Sequence, residues 1–314
     1  MEEFAIATYG LTKRFEGYIA VNEIDLQVKV GEVYGLIGPN GAGKTTLIRM
    51  LAAAEAPTKG EIWLHGDRLL RDDSNPVLKQ RIGYLPDDFP LYDELTVWDY
   101  LDYFARLYLL RQPMRRRRIN EVLELVQLEN KRQSIISTLS RGMKQRLSLA
   151  RTIIHEPILL LLDEPVSGLD PLARQQFRQI IKVLQEAGMT ILISSHVLSD
   201  LAELCTSVGI MELGFLVEST SLEELYQRLS GQEITVSTLG KMEILQQKLS
   251  QNSLVKTWAQ IKPDQLKISF TGQEEDCAEL LRSLVLADIP LTEFNRRQAD
   301  LESIFLELGH QQTS

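Results

Sequence analysis

The chain has 314 residues, 44% hydrophobic and 25% charged, which is typical of a globular protein with two domains, or with one domain and an appendage. A formal net charge of −9 argues against a nucleic-acid groove as the main surface, and the longest apolar run, Ile158–Leu162, is far too short to span a membrane. Two cysteines, Cys205 and Cys277, make neither a disulfide framework nor a zinc site, and the acidic start lacks a signal-peptide pattern. We therefore expect a protein of the reducing cytosol that does not itself cross a bilayer.

Strand patterns dominate the first 85 residues. Short apolar or alternating runs are separated by glycines, as in half-buried or fully buried strands. The predicted strand regions are Ala5–Val30, which turns at Gly10 and Gly17, followed by Glu32–Ile37, Gly60–Leu64 and Arg81–Leu85.

A mostly helical region follows, from about residue 90 to residue 155. Apolar residues recur at helical spacing in Thr96–Leu110 and Arg115–Leu128, and a third helix begins near Ser140 and stops before Pro157. The second helix opens with four arginines, Arg115–Arg118. We interpret them as a solvated helix face interleaved with acids, with contact to anionic lipid headgroups as the alternative.

Alternating strands and helices then resume. The predicted elements are a strand at Ile158–Leu162, a helix at Leu172–Ala187, a strand at Thr190–Ser195, a short helix at Ser199–Cys205, and a hairpin at Gly209–Glu218 that turns near Gly214. Near Thr220 the pattern changes to short strands and amphipathic helices, the last of which carries Leu301, Ile304, Phe305 and Leu308. We therefore predict an α/β domain over residues 1–220 and a small α+β domain over residues 221–314.

The strongest chemical signal lies between a predicted strand and a predicted helix and has the form G-x-x-x-x-G-K-[ST]. Its backbone N–H groups would point at phosphate oxygens, its lysine would contact the β- and γ-phosphates, and its first threonine would ligate Mg²⁺. The candidate phosphate-binding residues are Gly38, Pro39, Asn40, Gly41, Ala42, Gly43, Lys44, Thr45 and Thr46.

Three further sites could act with this loop in binding and hydrolysing a nucleotide. Asp163 and Glu164 end a buried strand, where the first acid can hold Mg²⁺ and the second can deprotonate an attacking water. Ser140 and Gly142 open a helix whose N-terminus could bind a γ-phosphate. His196 ends another strand on the same side of a parallel sheet. Taken singly, each has an ordinary alternative: solvated acids, a plain N-cap and a structural histidine.

In this order and spacing the motifs resemble the nucleotide-binding subunit of ABC transporters, over about residues 4 to 220. Gly38–Thr46 matches the family's Walker A, Leu139–Gln145 its signature sequence, and Leu159–Glu164 its Walker B with the catalytic glutamate. Ser167–Asp170 matches the D-loop and His196 the switch histidine. The resemblance implies a P-loop NTPase core of the ABC type, with an antiparallel β subdomain and a helical insert.

The resemblance also implies partners and cofactors. In the family, two ATPase subunits face head to tail and sandwich ATP, with Mg²⁺, between Walker A of one and the signature of the other. Phe15 lies where the family stacks an aromatic ring on adenine, with Tyr18 as a second candidate. The implied function is an ATPase on the cytoplasmic face of the membrane that drives a separate permease, without a nucleic-acid partner. The pairing could be homodimeric or heterodimeric.

The sequence departs from the family pattern at two places. Asp87 replaces the glutamine that commonly serves Mg²⁺, and we expect Asp87 to keep the metal role. In the signature, Arg141 and Met143 replace the usual glycine and glutamine. This variant resembles the ATPases of a bacterial exporter group that have short, separate permeases.

Two other function classes are open to such a sequence. One is a soluble ABC-type ATPase that acts on ribosomes or DNA; such proteins usually carry two cassettes or long coiled-coil arms, and this chain has one cassette, no sustained heptads and an acidic net charge. The other is a nucleotide-sensing regulatory module, which slow turnover, tight binding and the lack of a membrane partner would favour.

Overall fold

The computed structural model describes residues 4–70, 76–88, 90–197, 201, 204–229 and 232–297. The chain divides into two compact units, Met1–Leu222 and Glu223–Ser314, with helix Leu222–Leu229 at the junction.

Two sheets and a group of helices build the first unit. Its strands are β1 (Phe4–Phe15), β2 (Tyr18–Ile24), β3 (Gln27–Lys29), β4 (Val33–Ile37), β5 (Lys59–Leu64), β6 (Asp67–Arg68), β7 (Ile82–Leu85), β8 (Leu159–Leu162), β9 (Thr190–Ser195), β10 (Ser207–Glu212) and β11 (Phe215–Ser221). Its helices are α1 (Lys44–Leu51), α2 (Pro76–Gln80), α3 (Val97–Leu107), α4 (Met114–Leu125), α5 (Arg141–Ile153) and α6 (Pro171–Glu186), with single 3₁₀ turns at Glu129–Lys131 and Ile136–Thr138. The junction helix is α7 (Leu222–Leu229).

The central sheet has the order β11-β10-β4-β9-β8-β7. Strands β10, β4, β9, β8 and β7 are parallel to their neighbours, and β11 pairs antiparallel with β10 as the edge. Every residue of β4, β8 and β9 is buried, which explains why β4 and β8 are continuous apolar runs rather than alternating ones; β9 also buries the hydroxyl groups of Thr190, Ser194 and Ser195. Because they are parallel, their carboxyl ends all open on one edge of the sheet.

The second sheet is antiparallel, in the order β2-β1-β5-β6, and β3 also pairs with β1. Gly17 makes the β1–β2 turn with φ +92°, as the sequence predicts. Gly10 instead lies within β1, where φ is +55° and the strand register shifts, so it bends a continuous strand rather than ending one.

The helical insert forms as predicted, with α3, α4 and α5, but each helix ends earlier than its periodicity suggests. Helix α3 stops before Leu109, which has φ +62°, and α4 stops before Gln127, with φ +58°. Helix α5 ends at Ile153, where the Arg118 guanidinium donates hydrogen bonds to the carbonyl groups of Ile153 (2.8 Å) and Ile154 (3.1 Å), and the Glu156 amide also donates to that of Ile153 at 3.1 Å. The five-residue α2 was not predicted, since one turn carries no periodicity.

Most of the arginine run has structural partners. Arg115 pairs with Asp102 at 2.7 Å and Arg117 with Glu121 at 2.7 Å, and Arg118 caps α5. These contacts favour the interpretation of a charged helix face over that of a lipid-binding patch.

In its described residues, the second unit has a four-stranded antiparallel sheet and, after α7, two helices. Its elements are β12 (Gln232–Thr238), α8 (Met242–Ser250), β13 (Val255–Lys262), β14 (Gln265–Phe270), α9 (Glu274–Leu286) and β15 (Leu291–Arg297). The strand order β13-β14-β12-β15 with this βαββαβ connectivity is the ferredoxin-like arrangement. One core of aliphatic side chains and Phe270 holds the helices on the sheet. The predicted last helix with Leu301 and Leu308 lies outside the described residues, as does most of the predicted helix Ser199–Cys205.

None of the helices in the described ranges combines the length and the apolar content that crossing a bilayer requires.

Candidate nucleotide-binding site

The loop between β4 and α1 is shaped by glycines. A Cβ on Gly38 would lie 2.3 Å from the carbonyl oxygen of Met211, and a Cβ on Gly43 would lie 2.2 Å from that of Ala20, so only glycine fits at either position. Gly43 is also the N-cap of α1, with φ +103° and no side-chain cap. The first amides of α1 are therefore left for an anion, which the helix dipole favours.

Lys44 anchors the loop from within. Only 5% of the residue is exposed, and its Nζ donates hydrogen bonds to the carbonyl oxygens of Gly38 (2.7 Å) and Pro39 (3.2 Å). It lies 3.3 Å from Oε1 of Glu164. The ammonium group is thus desolvated and oriented towards the loop, where phosphate oxygens can compete for it.

Asp163 follows β8 and is 1% exposed. Its Oδ1 accepts a hydrogen bond from Ser194 Oγ at 2.7 Å, whereas its buried Oδ2 has no hydrogen-bond donor among the described residues. Burial raises the pKa of Asp163, and the hydroxyl groups of Ser194 and Thr45 oppose this increase. A buried carboxylate oxygen without a partner, beside the loop threonine, is chemically suited to a divalent cation.

Glu164 is held on both sides. Its Oε1 faces Lys44, and its Oε2 contacts Nδ1 of His196 at 2.8 Å and accepts a bond from the His196 backbone N–H at 3.3 Å. The backbone of Glu164 has φ +48°, an unfavourable conformation for a residue with a side chain. Ser194 supports it by accepting the Glu164 N–H at 2.9 Å.

Ser194 is a site residue that sequence reasoning missed. Its hydroxyl joins the two acids, since it accepts from the Glu164 amide and donates to the Asp163 carboxylate. The available signal was its position at the carboxyl end of the predicted strand Thr190–Ser195, one strand away from the acids.

Asp87 lies two residues beyond β7 and lines the same cavity as the loop. Partial burial raises the pKa of Asp87, and the nearby carboxylates of Glu164 and Asp88 raise it further, while Arg141 and His196 lower it. The structure therefore places this carboxylate in the electrostatic field of the other site residues.

The cavity over the loop has a volume of about 260 Å³. It is lined by Asn40, Gly41, Ala42, Gly43, Lys44, Thr45 and Thr46 of the loop together with Tyr18, Ala20, Asp87 and Glu164. A neighbouring open cavity of about 590 Å³ contains both Phe15 and Tyr18, whose rings stack with centroids 5.5 Å apart. Tyr18 lines both cavities, so the two aromatic candidates lie beside the cavity over the loop.

Ser140 and Gly142 are not among the residues that line this cavity in the described part of the chain. The Ser140 hydroxyl caps α5 by accepting the Met143 amide at 3.3 Å, and Gly142 is buried against Ala173, where a Cβ would come within 2.7 Å of the alanine methyl group. The structure thus brings the loop, Asp163, Glu164, His196 and Asp87 together and leaves the two signature residues elsewhere.

Among the described residues, no group of three or more His, Cys, Asp or Glu side chains is arranged as a metal site. Mg²⁺ in nucleotide sites is commonly held by one or two carboxylates, with phosphate oxygens and water completing the shell. The set of Thr45, Asp163 and Asp87 fits that pattern.

The fold and site define a P-loop ATPase. The family model described as ABC transporter matches residues 21–167. The ABC transporter ATP-binding protein YcbN of Bacillus subtilis is 34% identical over 97% of both chains, and the bacitracin transport ATP-binding protein BcrA of Enterococcus faecalis is 34% identical over 98% of this chain and 96% of its own. The solved structure of cbiO1 from Clostridium perfringens, part of the ABC transporter complex cbiONQ, has a TM-score of 0.67 at 23% identity, over 80% of this chain and 96% of its own.

The chain belongs to the family of ABC transporter ATP-binding proteins. It is an ATP-binding and ATP-hydrolysing subunit that powers a separate membrane permease, and the resemblance stated from its motifs is confirmed.

Proposed function

We propose that ATP with Mg²⁺ binds in the cavity over the phosphate loop and is hydrolysed there. Lys44 and the amides of the Gly38–Thr46 loop bind the phosphates, and Thr45, Asp163 and Asp87 hold the metal. When bound, Mg²⁺ supplies charge neutralisation at the phosphate oxygens. Phe15, with Tyr18 beside it, stacks on the adenine ring.

Glu164 is the proposed general base. The observation that carries this role is the position of its carboxylate, 3.3 Å from Lys44 Nζ and 2.8 Å from His196 Nδ1, next to the cavity that the loop lines. When a bound phosphate contacts the Lys44 ammonium, Oε1 of Glu164 becomes available to an attacking water, while the contact with His196 keeps Oε2 of Glu164 oriented. His196 is then positioned to reach the γ-phosphate as well as the carboxylate.

A second ATPase subunit completes the proposed site. Ser140 and Gly142 carry the signature at the N-terminus of α5, away from the cavity of their own chain. A head-to-tail pair, formed with a second copy or with a related chain, would bring this N-terminus onto the γ-phosphate bound to the other subunit. We assign this catalytic role to the ABC ATPase domain, residues 1–220 with the helical insert at about 90–155, and treat residues 221–314 as an accessory domain.

The subunit is proposed to act at the cytoplasmic face of the membrane, attached through its permease. Export is the favoured direction because the signature variant resembles the exporter group and because one full-length relative is named for bacitracin transport. The cargo is a property of the permease.

Glu164→Gln tests this mechanism, with Glu186→Gln on the exposed end of α6 as the matched control. We expect Glu164→Gln to keep ATP binding and to lower turnover by roughly 10²–10⁴, because it removes the base but not the phosphate contacts. Steady-state ATPase assays and ATP titrations measure the two effects. Near-normal turnover of Glu164→Gln would remove Glu164 from this role.

A further inference from the structure

The signature turn and the D-loop of this chain are joined by an unusual residue. Arg141 stands where the family commonly has glycine and is the first residue of α5. Its Nη2 donates a hydrogen bond to the carbonyl oxygen of Ser167 at 3.0 Å. The Ser167 amide donates in turn to the carbonyl oxygen of Glu164 at 3.1 Å. Two hydrogen bonds therefore connect the Arg141 side chain to the backbone of Glu164.

The guanidinium group also packs on Gly168. A Cβ added to Gly168 would lie 2.5 Å from Nη1 and 2.6 Å from both Cζ and Nη2 of Arg141, so the planar group occupies the space a side chain would need. Gly168 has φ +65°, which by itself favours glycine. This contact uses the flat face of an arginine, which a lysine ammonium on a flexible stem does not have.

The placement of Arg141 is otherwise unfavourable. A cation in the first turn of a helix opposes the helix dipole, and the first turn of α5 contains no acidic residue to offset it. Arg141 lies near enough to Asp87, which also departs from the family pattern, to lower the pKa of that carboxyl, although partial burial and the carboxylates of Glu164 and Asp88 raise it.

Glu164 needs such support. Its positive φ is maintained by the surrounding contacts, of which Ser194 supplies one on the β9 side and the Ser167 turn supplies another on the D-loop side. We propose that Arg141 is a positioning residue for ATP hydrolysis, which fixes the Ser167–Gly168 turn against the N-terminus of α5 and thereby fixes the carboxylate of Glu164. This inference rests on the proposed role of Glu164.

The test compares Arg141→Gln, Arg141→Lys and Gly168→Ala in the full chain. Each is expected to lower kcat by roughly ten- to a hundredfold, because small displacements of a catalytic group cost that much, while KM for ATP stays within about twofold. Arg141→Lys should not rescue kcat, since it keeps the charge but loses the planar contact. Gly188→Ala is the control for backbone strain, because Gly188 has φ +87° and no atom of the described structure within 4 Å of the added Cβ.

A double-mutant cycle separates this positioning from a general loss of structure. Arg141→Gln with Gly168→Ala should be no slower than the worse single variant, and Arg141→Gln should have no further effect on the residual turnover of Glu164→Gln. Additive losses in either pair, a parallel rise in KM, or kcat of Arg141→Gln within twofold of the unmodified protein would overturn the proposal. Normal turnover of Glu164→Gln alone would instead refute the general base, so the two failures are distinguishable.

Discussion

Ser194→Ala is the sharpest test of how the two acids are held. The hydroxyl donates to Asp163 Oδ1 at 2.7 Å and accepts from the Glu164 amide at 2.9 Å, and the residue is fully buried. A hydrogen bond to a charged group contributes about 1.5–3 kcal/mol, and an unpaired buried amide costs about 1–3 kcal/mol. Because a water molecule can partly replace the hydroxyl, we expect a loss of about 3 kcal/mol in the free energy of unfolding.

The expected loss is measurable by thermal unfolding. For a unit of the size of Met1–Leu222, about 3 kcal/mol corresponds to a decrease in Tm of roughly 6–12 °C. ATPase activity should also fall, since Glu164 keeps its strained backbone only while its amide is paired.

Ser195→Ala is the matched control for this measurement. Ser195 is 1% exposed, and its hydroxyl accepts one bond, from the amide of Val197 at 3.0 Å. Loss of one neutral bond costs about 1 kcal/mol, or roughly 2–4 °C. Equal shifts for the two variants, or a shift below about 2 °C for Ser194→Ala, would refute the bridging role of Ser194.

Three other predictions concern nucleotide, metal and pH. Phe15→Ala should weaken ATP binding by roughly five- to a hundredfold, because base stacking contributes about 1–3 kcal/mol, and should leave the binding of inorganic triphosphate unchanged. Competition titrations measure the affinity for both ligands, and equal losses of affinity would exclude stacking. Asp87→Ala should raise the Mg²⁺ concentration for half-maximal ATPase activity roughly tenfold, and an unchanged Mg²⁺ titration would remove Asp87 from the metal site. Burial lowers the pKa of His155 in the folded protein below its unfolded value of about 6.5. The unfolded chain therefore takes up this proton first as pH falls, and the free energy of unfolding decreases by up to about 1.4 kcal/mol per pH unit between the unfolded and the folded pKa. His155→Gln should flatten this acid dependence in unfolding measurements between pH 7 and pH 5; an identical slope would contradict it.

Much of the site could be predicted because its chemistry is local in sequence. A glycine-rich loop with this motif, between a buried strand and a helix, is typical of phosphate binding. Asp163 and Glu164 follow a strand whose continuous apolar run indicates that it lies inside the sheet. Parallel pairing then places the strand ends together without further information.

What could not be predicted depends on contacts between distant segments. A serine in a buried strand is common, so nothing in the sequence shows that Ser194 joins the two acids. The contact of Arg118 with the carbonyl groups of Ile153 and Ile154 is of the same kind, because the guanidinium reaches the end of α5 from a different helix. The contact between Arg141 and Gly168 becomes visible only when the signature and the D-loop lie side by side.

The periodicity of the sequence does not predict the ferredoxin-like strand order of the second unit. Alternating short strands and helices predict an α+β domain, but the order β13-β14-β12-β15 depends on which strands pair across the sheet.

Purification of Glu164→Gln protein with ATP from gently solubilised native membranes, followed by mass spectrometry of the bound chains, tests whether the ATPase works with a membrane permease. A variant that binds ATP but does not hydrolyse it should remain in its closed, assembled state. We predict a polytopic membrane protein in fixed stoichiometry with the ATPase. Recovery only from the soluble fraction, with ribosomal or DNA-bound partners, would contradict the assignment to a transporter.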